Sequence, residues 1–268
     1  MDKRPIGVFD SGLGGLTVVK ELMDQLPGED IVYFGDTARI PYGTRSKATV
    51  EKYSSQCIEF LHTQDVKMVV VACNTVSSCC LDVLKSKFHM PIVGVIEPGA
   101  EAAIAATKNK NIGIIGTEGT ISSGAYETAL LKRDPTLLLH SRACSLFVPI
   151  VEEGWSDTEV AYLTAKKYLS NMRDQKIDTL ILGCTHFPLL TNVIQKVMGD
   201  DVTLVDPAKG TVLLVEQLLA KKNMLNVNKD LGKSKFFVSD FGQKFEQIGS
   251  SFLNQNIVCA KQINIEEY

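Results

Sequence analysis

With 268 residues, a net charge of −3 and 45% hydrophobic content, the chain is expected to be a soluble enzyme of two domains of about 100 to 150 residues each. Its scattered Lys and Arg give no footprint for nucleic acid or an anionic membrane surface, and no apolar run reaches the roughly 18 to 20 residues that span a bilayer. Seven cysteines, with no apolar export segment ahead of the first strand, argue for reduced thiols in a cytoplasm rather than a disulfide framework.

Strand-like apolar runs then alternate with helical periodicity along almost the whole chain. The runs fall at Ile6 to Phe9, Ile31 to Phe34, Met68 to Ala72, Ile92 to Ile96, Ile112 to Ile115, Leu137 to His140, Leu180 to Leu182, Val202 to Val205 and Phe236 to Val238. After the first, Leu16, Val19, Leu22, Met23 and Leu26 recur at spacings of three and four and stop at Pro27-Gly28, which predicts a helix. Another helix is predicted from Thr158 through Leu169 and Met172, capped by Ser156-Asp157. The alternation predicts an α/β fold of mostly parallel sheets flanked by helices.

The pattern occurs twice. Ile6 to Gly12 resembles Ile112 to Glu118, Val69 to Thr75 resembles Leu180 to His186, and Val95-Ile96-Glu97-Pro98 resembles Leu204-Val205-Asp206-Pro207. Three pairs in one order at nearly constant offset predict a duplicated half, and hence two similar domains related by pseudo-two-fold symmetry. Glu97-Pro98 and Asp206-Pro207 are read as crossing points, because a residue before proline is held extended. The expected division is 1–97 plus 208–268 for the first domain and 98–207 for the second, with the site in the cleft between them.

Cys73 and Cys184 stand at equivalent places in the two halves, each at the end of an apolar strand, where open α/β sheets build ligand sites. A helix beginning there would favour a thiolate, bringing a thiol of ordinary pKa about 8.5 near neutrality. Zinc would want four ligands, and Cys73 with Cys184 and His186 offers at most three. A redox pair would bring the sulfurs within about 2 Å and leave no room for a ligand. A covalent nucleophile needs one thiol and leaves the other unexplained. Two thiols on opposite faces of a carbon suit removal of a proton from one face and its return to the other, which inverts a stereocentre. Cys57, Cys79, Cys80, Cys144 and Cys259 are read as small buried hydrophobes. His62, His89 and His140 are read as surface or packing residues. Gly12, Gly14 and Gly15 match no phosphate-binding spacing and are expected to let the backbone approach a small ligand.

Gly7 to Leu16, Gly35 to Arg39 with Pro41-Tyr42-Gly43, Ala72 to Thr75, Gly116 to Thr120, Phe147 to Gly154 and Gly183 to His186, taken together, resemble the glutamate racemases from about residue 5 to Phe252. Val76 and Phe187 depart from that pattern, where a small residue and a tyrosine are expected, and Ser145 stands where proline is common. The resemblance implies interconversion of L- and D-glutamate without cofactor or metal, supply of D-glutamate for peptidoglycan, a cytoplasmic location and a homodimer. It implies that Cys73 is the base toward D-glutamate and Cys184 the base toward L-glutamate. Asp10 would assist the first thiol, and Glu152 and His186 the second. Substrate contacts would come from Asp10, Ser11, Pro41, Tyr42, Gly43, Asn74, Thr75, Thr117, Thr120, Thr185 and His186. Asp36 is read as a supporting partner, and capping of helices is the alternative for Asp10 and Asp36. The rival readings are an aspartate or hydantoin racemase, and a non-catalytic amino-acid-binding protein.

Overall fold

The computed structural model describes residues 2–227, 230–240, 242–253 and 260–268. Cys259 lies outside these residues. The first half runs β1 (Ile6–Asp10), α1 (Leu16–Gln25), β2 (Ile31–Gly35), α2 (Lys47–Thr63), β3 (Met68–Val71), α3 (Asn74–Cys79), α4 (Leu81–Lys87), β4 (Ile92–Gly94) and α5 (Ile96–Ala106). The second runs β5 (Asn111–Gly116), α6 (Glu118–Ser122), α7 (Ala125–Arg133), β6 (Leu138–Ala143), α8 (Phe147–Glu152), α9 (Glu159–Asp174), β7 (Thr179–Gly183), α10 (Thr191–Met198), β8 (Thr203–Val205) and α11 (Pro207–Lys221). Then β9 (Ser234–Val238), α12 (Gly242–Leu253) and β10 (Lys261–Gln262) follow.

The strands form two sheets, ordered β10-β9-β2-β1-β3-β4 and β6-β5-β7-β8, and the strand pairs are parallel. Removing the two added edge strands of the first sheet leaves the same order in both, so the repeat seen in the sequence is a repeat of topology. Ile6 of β1 lies beside Ile31 and Met68, as Ile112 of β5 lies beside Leu139 and Thr179. The central strands β1, β3, β5 and β7 are covered on both faces, which explains their unbroken apolar runs. Each fully buried Val or Ile there contributes about 1.5–3 kcal/mol relative to an exposed one. An apolar cluster runs from Val8, Leu16 and Leu22 through Val212 and Val215 of α11 to Leu180 and Leu190, so α11 packs against elements of both halves.

Several local expectations are corrected. Glu97 is helical rather than extended: β4 ends at Gly94 and Pro98 enters the first turn of α5, where its missing N–H would have no intrahelical partner. Asp206 is extended, and its carboxylate accepts the Ala208 N–H at 2.9 Å to start α11 at Pro207. The cap of α9 is Thr158, whose hydroxyl accepts the Ala161 N–H at 3.4 Å, and not Ser156-Asp157. The two-residue β10 carries no apolar run and is not anticipated by the sequence. Among the described residues, no helix is long and apolar enough to cross a membrane.

Candidate active site

Parallel strands end together, so the loops leaving β1, β3, β5 and β7 meet at one end of each sheet. A cavity of about 350 Å³ lies there, lined from the first half by Ser11, Pro41, Tyr42, Gly43, Cys73, Asn74 and Thr75, and from the second by Thr117, Glu152, Cys184, Thr185 and His186. The two thiols face this one space from different sheets. Cys73 is 5% exposed and Cys184 6%, and both line the cavity. Asp10 and Thr120, also expected at the site, are buried just behind the lining. Val76 and Phe187 are fully buried and do not reach the cavity, so those departures do not alter its wall.

The two thiols have unlike surroundings. Cys73 stands at the start of α3 and donates to Ser11 Oγ at 3.5 Å. Burial, reinforced by the Asp10 carboxylate, pushes its pKa up to about 12, so the expected lowering by a helix start is overridden. Cys184 follows β7 directly, and what comes next is a single turn at Phe187–Leu190 rather than an α-helix. Its Sγ lies 3.9 Å from His186 Nδ1, and His186 Nε2 lies 3.2 Å from Glu152 Oε1. Burial works against the imidazolium, yet hydrogen bonds to Cys184 and Glu152 raise the His186 pKa to about 10. A thiol that keeps its proton thus faces a sulfur held beside a cation.

Asp10 caps no helix. Its Oδ2 accepts the Gly12 N–H at 3.0 Å, and the Thr185 hydroxyl approaches its Oδ1 at 3.5 Å, so it joins the β1 loop to the second half. Burial raises its pKa, against the pull of His186 and of the Gly12, Gly15 and Ser11 N–H groups. Asp36 caps no helix either. It accepts from Arg39 Nε at 2.7 Å, from Ser239 Oγ at 2.8 Å and from the Tyr42 hydroxyl. Tyr42 therefore turns its hydroxyl away from the cavity and lines it with the rest of the residue. The peptide bond before Pro41 is cis.

Between the halves, the Thr75 hydroxyl lies 2.9 Å from that of Thr117, which lies 3.0 Å from that of Thr120. The Tyr126 hydroxyl donates to Asn74 Oδ1 at 2.7 Å and fixes the amide. Of the three glycines after β1, only Gly12 lines the cavity, with its carbonyl held by the Tyr33 hydroxyl at 2.7 Å. A Cβ on Gly14 would fall 2.1 Å from Thr185 Oγ1 and 2.7 Å from His186 Nδ1, so this glycine admits the opposite half rather than a ligand.

Sequence reasoning missed Ile40, Thr44, Glu118, Ser145, Val148 and Pro149, which complete the wall. A signal existed for the last two. Val148 and Pro149 lie four and three residues before Glu152, on one face of a helix that already carried a site candidate, and Ser145 lies in the turn just before that helix.

Residues 6–215 match the model of the Asp/Glu/Hydantoin racemase family. The glutamate racemase of Geobacter metallireducens is 48% identical over 266 residues, which is 99% of this chain and 98% of that protein. Among solved structures, a Bacillus anthracis glutamate racemase superposes with a TM-score of 0.94 at 42% identity, over 98% of this chain and 99% of that one. The Francisella tularensis glutamate racemase in complex with D-glutamate gives a TM-score of 0.93 at 41% identity over the full length of both chains. An aspartate racemase from Picrophilus torridus, at 17% identity and a TM-score of 0.57, shares the fold alone. The chain belongs to the Asp/Glu/Hydantoin racemase family, groups with its glutamate racemases, and is an isomerase.

Proposed function

We propose that this chain interconverts L- and D-glutamate by a two-base proton transfer between Cys73 and Cys184, in a cleft between a domain of residues 1–97 plus 208–268 and one of residues 98–207. The observation that carries the reading is a single cavity bearing two thiols from topologically equivalent strand ends. His186, held as an imidazolium, lies 3.9 Å from the Cys184 sulfur, while Cys73 keeps its proton. L-Glutamate then loses its α-proton to the Cys184 sulfur and receives the Cys73 proton on the other face. The product leaves the two thiols with exchanged protonation, and one proton must pass back before the next turnover. D-Glutamate runs the same path in reverse.

The carbanion-like transition state is costly while the substrate carboxylate is ionised, so donors must be aimed at that carboxylate before reaction. In this reading the Asn74 amide NH2 and the Thr75, Thr185 and Ser11 hydroxyls, which line the cavity, supply those donors. Glu152 keeps His186 charged and oriented. In this reading the enzyme uses no cofactor or metal, acts as a cytoplasmic homodimer and supplies D-glutamate to peptidoglycan. Exchange of α-hydrogen in deuterated water, followed on glutamate and on aspartate with a chelator present, tests it. Exchange of glutamate alone is expected. Exchange of aspartate alone would move the assignment to the rival racemase, binding without exchange would make the chain a binding protein, and inhibition by the chelator would end the metal-free reading.

A further inference from the structure

α3 begins with the catalytic-site residues Asn74 and Thr75 and ends at Cys79, with Cys80 next to it. Read from sequence as two small hydrophobes, these residues prove to be a matched pair. Their sulfurs lie 3.3 Å apart. Cys79 is partly exposed, whereas Cys80 is 1% exposed and packs in the core beside the Lys47 carbonyl. The Cys79 thiol also donates to the Thr75 carbonyl at 3.0 Å.

What such a pair can hold follows from its geometry. Adjacent residues have Cα atoms about 3.8 Å apart, short of the roughly 4.4–6.8 Å usual for a disulfide. A direct S–S bond is therefore disfavoured, and a bridging atom is the better match. With sulfur bonds of about 2.3 Å, as soft ions make, a 3.3 Å separation sets an angle of about 90° at the bridging atom. That is the pyramid of a trivalent arsenic centre rather than the tetrahedron of zinc. Consistently, among the described residues no group of three or more His, Cys, Asp or Glu is arranged to hold a metal ion.

We propose that Cys79 and Cys80 form a vicinal dithiol site that a trivalent arsenical bridges, separate from the catalytic thiols. Two As–S bonds form, the As=O bond of the arsenical breaks, and its oxygen leaves as water with the two thiol hydrogens. No electron is transferred. The Cys80 hydrogen bond and the Lys47 charge pull the Cys79 pKa down, against burial, which favours Cys79 as the first sulfur to attack. Cys80 then closes the ring. Closure removes the hydrogen that Cys79 gives Thr75, whose own hydroxyl reaches Thr117 across the cavity.

The test uses phenylarsine oxide and intact mass under native conditions. To remove the catalytic thiols from the count, it starts from the Cys73→Ser/Cys184→Ser double variant. One phenylarsenic group per chain is expected there, released by 2,3-dimercaptopropanol but not by a monothiol at equal thiol concentration. Adding Cys79→Ser should abolish uptake. No uptake by the double variant, uptake that survives Cys79→Ser, or release by the monothiol would each overturn the site. If a variant fails to fold, acid peptide mapping of the arsenical-treated wild type decides instead: arsenic on the peptide holding Cys79 and Cys80 supports the proposal, and its absence from that peptide refutes it.

Discussion

Cys73 and Cys184 differ in what surrounds them, and this difference sets the first predictions. Replacing either with serine leaves the shape of the cavity but removes a group able to take or give the α-proton, so racemisation should fall by about 10²–10⁴-fold or more in each variant. Racemisation near the wild-type rate in either variant would remove the two-base scheme, whereas slow one-sided exchange of α-hydrogen would not. His186 adds a pH dependence. Its folded pKa, raised to about 10 from an ordinary 6.5, contributes stability that is complete below pH 6.5 and disappears as pH rises through 10. The melting temperature of the wild type should fall across that window, and His186→Asn should flatten the fall while lowering kcat at saturating L-glutamate more than at saturating D-glutamate. Equal pH slopes in the two proteins would show that His186 is not the titrating group. The thiols were legible in the sequence because each half ends a strand with the same motif, whereas His186 stood out only through the resemblance to the glutamate racemases. The raised pKa of Cys73 was not, because it arises from burial and from Asp10, whose carboxylate is brought near only by β1 and β3 lying side by side.

Elements place these residues, and here the sequence was informative about strands and less so about their ends. Apolar periodicity located the nine longer strands within a few residues, since the central strands are buried on both faces and apolar throughout, and it stopped short on β6, whose Ser141 and Arg142 carry no apolar signal. It misjudged Glu97, where tertiary packing of α5 overrides the extended preference of a residue before proline. It also misjudged the glycines after β1, whose purpose depends on a neighbour far along the chain. Gly14 is the sharpest case, because α1 can approach the Thr185-His186 turn only without a side chain at this position. Gly14→Ala should displace that turn. A displacement of about 1 Å can cost roughly 10²-fold in rate, so kcat/KM for glutamate should drop by at least about tenfold while the circular dichroism spectrum stays that of the folded enzyme. Kinetics unchanged from wild type would mean that the turn yields without consequence for the chemistry.

At the scale of the whole molecule, the duplicated pattern revealed two sheets of one topology, but it could not reveal how the chain after α11 returns to the first of them. Beyond the apolar run of β9, that return rests on polar contacts between distant segments, which leave no periodicity. β9 pairs with β2, and below it the buried Lys67 ammonium donates to the carbonyls of Asp2 and Met224 while pairing with Glu29. Glu29 also accepts the Asn226 N–H at 2.8 Å, so a single ion pair ties the start of the chain, the entry to β3 and the segment beyond α11. Both partners are almost fully buried, at 0% and 1% side-chain exposure. Removing one therefore strands the other charge, which costs about 3–5 kcal/mol. Lys67→Met should lower the melting temperature by roughly 10 °C in a protein of this size. Adding Glu29→Leu should recover most of the loss, because the penalty lies in the unpaired charge rather than in the missing attraction. Since neither residue touches the cavity, glutamate turnover measured well below the transition should stay within about twofold of wild type. Melting of Lys67→Met within a degree or two of wild type would show that the segment after α11 is held by the pairing of β9 with β2 and the packing of α12 on α1 alone.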